Sequence, residues 1–230
     1  MEKNTQDSKR PGRTKQEKYY KETFEKISSE KKKTILNAAV IEFSSKGYNA
    51  ANINIIAKKA GISIGSMYQY FNSKENLFLT AIDEGYKIIE HSLSEINIIE
   101  GTFFDKLEEI IKHIQKYSRE FSLLNQLYLE ATTQGMADMS KKLSLKMETV
   151  SSGFYKKTLA SAVEDGVIDP GISIETASFC IDNILLLLQF SYSTEYYKER
   201  MKIFAGKNSL NQDEKIRKEI LYLLKKALLK

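Results

Sequence analysis

Tryptophan is absent from this 230-residue chain, which holds one cysteine, two histidines and two prolines. A lone Cys180 excludes an internal disulfide and a cysteine-rich zinc site, and it suits a reducing compartment. It is expected as a small buried hydrophobe within an apolar run. His91 and His113 have no second histidine or cysteine at metal spacing, which excludes the common histidine metal motifs. His113 is expected on a helix surface or at a satisfied inner position, with a ligand contact as the alternative. No uninterrupted apolar run approaches the ~20 residues of a membrane span. The longest aliphatic stretch, 184–188, is bounded by Asp182, Asn183 and Gln189. The opening MEKNTQDSKRPGRTK lacks the apolar centre of a secretory signal. Nucleophile elbow, phosphate loop and dinucleotide fingerprint are missing as well. An enzyme reading therefore has no residues to rest on, and no cofactor is expected. A cytoplasmic protein with no membrane partner is the expectation.

Lysine, glutamate, leucine and isoleucine dominate what is present. Few helix breakers and these helix formers predict an all-α chain. The net charge of +5 is unevenly placed. Residues 1–33 hold eleven Lys/Arg against six Asp/Glu, whereas the chain beyond residue 80 is slightly acidic. A basic first third points to an anionic partner for that end, with a merely solubilising tail as the alternative.

Residues 1–29 read as a basic, partly disordered arm, with Pro11-Gly12 in it and one weak helical pattern through Tyr20, Phe24 and Ile27. A helix is expected from about residue 30 to 46 on Ile35, Leu36, Ala39, Val40 and Phe43, ended by Gly47. Asn52 can cap a short helix that stops at Gly61, and Ser63 can cap the next, Ile64 to Tyr70. The stretch NSKE (72–75) starts a long helix with an acid near its third position. Two short helices around a glycine turn make a helix-turn-helix, whose second helix enters the major groove of DNA.

That geometry accounts for a second helix unusually rich in small and polar residues. Gly65 and Ser66 allow close backbone approach, while Tyr68 and Tyr70 end in hydroxyls that can reach phosphates. Gln69 can do the same or read an adenine edge, and Lys74 is placed to meet a phosphate.

The stretch from Thr34 to Phe78 resembles the DNA-binding domain of TetR-family transcriptional regulators. The matching features are an alanine-rich helix ending in Phe43 and Gly47-Tyr48, then IAKKAGIS, then Gly65-Ser66-x-Tyr68-x-Tyr70-Phe71 and Ser73-Lys74-Glu75-x-Leu77. The resemblance covers about 45 residues. It implies a homodimer that grips a near-palindromic double-stranded DNA operator. By matching position, Asn54, Ser63, Ile64, Gly65 and Tyr68 would approach bases. Asn52, Ile53 through its N–H, Ser66, Gln69, Tyr70 and Lys74 would hold phosphates. Asn52, Asn54 and Gln69 depart from the residues common in that family, which leaves the operator sequence open. The implied fold is an N-terminal three-helix helix-turn-helix DNA-binding domain (30–80), joined by a long helix to a larger helical ligand-binding and dimerisation domain (81–230).

Five further helices are expected near 103–118, 120–134, 139–166, 173–205 and 212–229. The helix over 173–205 is apolar nearly all round and needs several buried sides. With the helix 212–229 it suggests a four-helix bundle between two copies. Tyr117, Phe121, Leu124, Tyr128, Met147, Phe154, Phe179, Asn183 and Leu187 are the candidate lining of a pocket for a small apolar or aromatic effector. An aromatic stripe at helical spacing is also what a plain core looks like. The reading is a ligand-responsive transcriptional regulator of the repressor type. The alternative is a helix-turn-helix architectural or interaction protein with no small effector.

Overall fold

The structure, a computed structural model, describes residues 18–97, 100–133 and 137–229. Most of the basic arm lies outside the described residues. Among the described residues there are eleven α-helices, one short 3₁₀ turn at 209–211 and no strand.

The first five helices are α1 (Glu22–Glu25), α2 (Ser29–Ala50), α3 (Ile53–Lys59), α4 (Ile64–Tyr70) and α5 (Lys74–Asn97). Each start has a local cause. The Ser28 hydroxyl accepts the Lys31 N–H, the Asn52 side chain accepts that of Asn54, and the Ser63 hydroxyl accepts that of Ser66. Side-chain acceptors of this kind satisfy amides that a helix leaves unpaired at its first turn. At Gly47 the chain leaves helical geometry, with φ +74° and ψ 160° inside α2, a region open to glycine alone. The expected stop at Gly47 is thus a kink that re-aims the chain toward α3.

The larger part comprises α6 (Phe103–Glu120), α7 (Ser122–Thr133), α8 (Ala137–Glu164), α9 (Ile174–Ser193), α10 (Glu195–Ala205) and α11 (Asp213–Leu228). The single helix expected over 173–205 is two helices. Thr194 is extended, with φ −124° and ψ 143°. Ser191, Ser193 and Thr194 each turn a hydroxyl back onto the carbonyl four residues earlier, at 2.8, 2.8 and 3.3 Å. Three such back-bonds in four residues compete with the helical ladder and end it.

Two apolar cores result. The first gathers Ile35, Phe43, Ile56, Met67, Phe71 and Phe78 from α2–α5, and it also takes in Leu127 and Ala131 of α7. The second gathers Leu107 and Ile111 of α6 with Tyr155, Leu159, Ile181, Leu185 and Leu224 of α8, α9 and α11. Because α7 donates to the first core, the helix-turn-helix unit is seated on the larger part through buried contacts.

By length and composition α9 is the one helix among the described residues that could cross a membrane, with a mean hydropathy of 1.2. Only a third of that window is buried inside the chain. Phe179 and Leu187 stand exposed on it, and Cys180, expected to be buried, is exposed beside them.

Candidate nucleic-acid interface and cavity

The outer face of α3 and α4 is built from residues that capping and core packing leave outside. Met67 and Phe71 point inward and are fully buried. That choice of inner face turns Ile64, Gly65, Tyr68 and Gln69 outward; Ile64 is 38% and Tyr68 47% exposed. Asn52, Asn54 and Ser63 are exposed at the starts of α3 and α4, and Ser66 is half-buried with its hydroxyl 2.9 Å from that of Ser63. Ile53 is half-buried and starts α3 behind its cap. No Cβ at Gly65 would meet anything but the Ser63 hydroxyl, at 3.7 Å, so the backbone there is open to close approach from outside.

Two members of the expected set are placed differently. Tyr70 is 7% exposed, not solvent-facing: its ring lies 5.9 Å from Phe24, beneath Lys31. The cause is α1, which the sequence pattern gave only as a weak helix. The Lys21 N–H donates to the Tyr70 carbonyl at 2.9 Å and the Lys21 amine to the Tyr68 carbonyl at 2.7 Å. The Thr23 hydroxyl donates to the Gln69 carbonyl. Every carbonyl of the last three residues of α4 is thereby satisfied from α1, with a cation at the negative helix end. The segment before the helix-turn-helix is a buttress for the reading helix, a role carried by Lys21 and Thr23 that spacing alone did not mark.

Lys74 is the second. Its amine donates to the carbonyls of Asn49 and Ala51, at 3.0 and 3.2 Å, and lies 4.9 Å from the centre of the Tyr48 ring. It ties the start of α5 to the end of α2. On α3, Lys59 is also engaged: its amine reaches the buried Glu42 carboxylate at 2.8 Å, which with burial opposing holds Glu42 below the usual carboxylate range.

Behind the helix-turn-helix unit, α5–α9 line a partly open cavity of about 170 Å³. Of the nine residues expected to line a pocket, Tyr117, Phe121, Leu124, Tyr128 and Met147 do so. Phe154, Phe179, Asn183 and Leu187 do not. Phe154 packs against the second core. Phe179 is 69% exposed, Leu187 is exposed, and the Asn183 amide donates to the Phe179 carbonyl at 2.7 Å. The face of α9 that lines the cavity carries Asp182, Leu185, Leu186 and Gln189 instead. An all-round apolar helix has no period to say which side faces in; its polar interruptions, Asp182 and Gln189, were the available signal.

The cavity's polar groups come mainly from α6–α9. The Tyr86 hydroxyl donates to the Met147 carbonyl at 2.7 Å, and the Tyr128 hydroxyl donates to Glu148 Oε1 at 2.8 Å. Gln189 donates to the Asn125 side-chain oxygen at 2.7 Å. His113 lines the cavity, and its Nδ1 is buried with no hydrogen-bond partner among the described residues, so of the three places expected for it neither the surface nor the satisfied inner position holds. Burial, then the neighbouring Glu148, pushes the Asp182 carboxyl up to about 6. Burial raises the hydroxyls of Tyr86, Tyr128 and Tyr155, which stay protonated donors. Among the described residues no group of three or more His, Cys, Asp or Glu could hold a metal ion.

Comparison with known proteins follows the same division. Residues 35–81 match the family described as bacterial regulatory proteins, tetR family. Over 180 residues the chain is 23% identical to an uncharacterised HTH-type transcriptional regulator of Bacillus subtilis, YhgD, covering 78% of this chain and 93% of that one. It is 25% identical over 120 residues to the HTH-type transcriptional repressor KstR of Mycolicibacterium smegmatis, covering 50% of this chain and 59% of KstR. Among solved structures, AibR in complex with isovaleryl coenzyme A and operator DNA has the same fold. It gives a TM-score of 0.64 at 16% identity, covering 84% of this chain and 97% of that chain.

Proposed function

We propose that this chain, which belongs to the TetR family of bacterial regulatory proteins, is a ligand-responsive repressor that binds a near-palindromic operator as a homodimer. A small effector with an apolar or aromatic body releases it. The observation that carries the reading is the outward face of α4. Ile64, Gly65, Tyr68 and Gln69 stand free on a two-turn helix whose far end is fixed by Lys21 and Thr23. A short helix held from behind and bare in front suits insertion into a groove. Asn54, at the first turn of α3, flanks that face, and Asn52, Ile53, Ser63 and Ser66 present the capped helix starts to phosphates. Tyr70 and Lys74 act by holding the unit together.

The dimer would form through α9 and α11. Phe179 and Leu187 on α9 and Tyr222 and Leu223 on α11 are exposed, apolar and without a cover in the monomer. Apolar helices with one bare side are the raw material of an isologous bundle across a two-fold axis. Such a dimer sets two reading helices apart, and half-sites about 34 Å apart fit only one separation. An effector in the cavity would select between separations. The cavity favours this over an architectural role with no effector.

Electrophoretic shifts on the DNA upstream of the protein's own coding sequence test the reading. Tyr68→Ala is expected to abolish the shift while sedimentation still gives a dimer, because Tyr68 is half in solvent. Equal affinity for that DNA and a scrambled duplex overturns DNA reading, and a monomer at every concentration overturns the dimer.

A further inference from the structure

The polar wall of the cavity carries negative charge and no balancing positive charge. Asp182 of α9 and Glu148 of α8 both line it, and among the described residues no lysine or arginine does. Among the described residues Glu148 accepts one hydrogen bond, from Tyr128. No hydrogen bond or salt bridge reaches Asp182 among the described residues. A carboxylate drawn out of water without a partner is costly, and an opposite charge is what relieves it. Most of the rest of the wall is aliphatic and aromatic, broken by Ser118, Asn125, Ser151 and Gln189, with the rings of Tyr86, Tyr117, Phe121 and Tyr155 around the space. Ring faces attract cations as well as apolar groups.

We infer that the effector is a small amphipathic cation: an apolar, preferably aromatic, body bearing a protonated or quaternary amine, with the nitrogen seated at Asp182 and Glu148. The inference rests on reading the cavity as the effector site. A volume of about 170 Å³ suits a body of one aromatic ring with a compact cationic group beside it, since an engineered cavity of about 150 Å³ already takes up benzene. The two carboxylates supply the charge complement, and His113 Nδ1 is a spare polar contact at the wall. A cavity of about 170 Å³ admits no more than the acyl end of a coenzyme A thioester, and that end carries no positive charge to set against the two carboxylates. In this respect the chain parts from the structure of similar fold that holds isovaleryl coenzyme A.

Calorimetric titration of the full-length protein with matched probes tests this. Benzyltrimethylammonium and its uncharged isostere neopentylbenzene differ in little but charge, and isovaleryl coenzyme A supplies the anionic arm. The ammonium is expected to bind about tenfold tighter than neopentylbenzene. Asp182→Asn and Glu148→Gln are close in shape to the parent residues. Each is expected to lose most of that preference while binding neopentylbenzene unchanged and keeping the parent's helical signal and melting point or better. Tighter binding of neopentylbenzene or of isovaleryl coenzyme A, or an ammonium preference that survives both substitutions, overturns the cationic inference and leaves the effector site standing. Binding of none of the three overturns the effector-site reading with it.

Discussion

Glu130 of α7 accepts the backbone N–H of Tyr48 at the kink of α2, with 2.5 Å between Oε1 and N. A Cβ at Gly47 would lie 2.8 Å from the same oxygen. The carboxylate therefore occupies the notch that a glycine opens. Two residues earlier on α7, Tyr128 lines the cavity, and Leu127 and Ala131 are buried in the core of the reading unit. A shift of α7 at the cavity would move the partner of the kink, and this is the route we propose between the cavity and the helix-turn-helix unit.

Removing that link has a stated cost. Glu130→Ala leaves the Tyr48 N–H without its partner, a loss of about 1–2 kcal/mol. The outcome expected is a lower urea midpoint, together with a weaker effector response. More ligand would be needed to release half of the bound DNA, although basal DNA affinity changes little. Chemical denaturation and a ligand titration of the shifted band check the two parts separately.

Gly47→Ala attacks the same joint from the other side. A φ of +74° with ψ 160° is strained for any L side chain, by about 1–3 kcal/mol. The new methyl would also press on Glu130. In the double variant Gly47→Ala/Glu130→Ala the steric part disappears and the backbone part remains. The two costs are therefore expected to sum to more than the double variant shows, a coupling that thermal denaturation of the four proteins measures.

Much of this joint was legible in the chain before any coordinates. Gly47 punctuates a strong helical period, and Asn52 and Ser63 are cap residues at the right offset, so α3 and α4 fall where spacing puts them, while α2 kinks at Gly47 and runs on to Ala50. Glu130 was not legible, because its partner is a backbone amide 82 residues away and no local pattern encodes that. The burial of Tyr70 was hidden for a related reason. Its neighbour Phe24 sits on a one-turn helix too short to register as a period. On α9 the fault was different: with apolar residues on every side, spacing could not separate the face with Phe179, which is exposed, from the face with Leu185, which is buried.

Tyr70 and Tyr68 should therefore behave oppositely despite their similar chemistry. Tyr70→Ala empties a buried site beside Phe24 and costs about 3 kcal/mol of stability. Tyr70→Phe keeps the ring, and is expected to leave both melting temperature and DNA affinity near the parent's. Tyr68→Phe removes only an exposed hydroxyl; it leaves stability alone and weakens the DNA complex. A Tyr70→Phe protein that is stable yet fails to shift DNA would return Tyr70 to the contact surface.

Asp182 gives the chain a pH signature of its own sign. Burial and Glu148 raise its pKa from 3.8 to about 6, so between these values the folded protein holds a proton that the unfolded chain has released. Stability from this group is therefore fully present below 3.8 and is lost as the pH rises through 6. Of the groups lining the same cavity, Tyr86, Tyr128 and Tyr155 stay neutral there and Glu148 adds like charge; His113 lines it too, and comparing the parent with Asp182→Asn takes its contribution out of the difference. Asp182→Asn removes the ionisation without changing the shape. Against the parent it should gain about 1 kcal/mol at pH 7.5, allowing for screening of a half-buried group, and almost nothing at pH 4. Urea midpoints of both proteins across that range test it. A saturating small cation in the cavity should erase the parent's disadvantage at pH 7.5, since the ionised carboxylate then has its counter-charge. Asp182→Asn should be nearly indifferent to the same ligand.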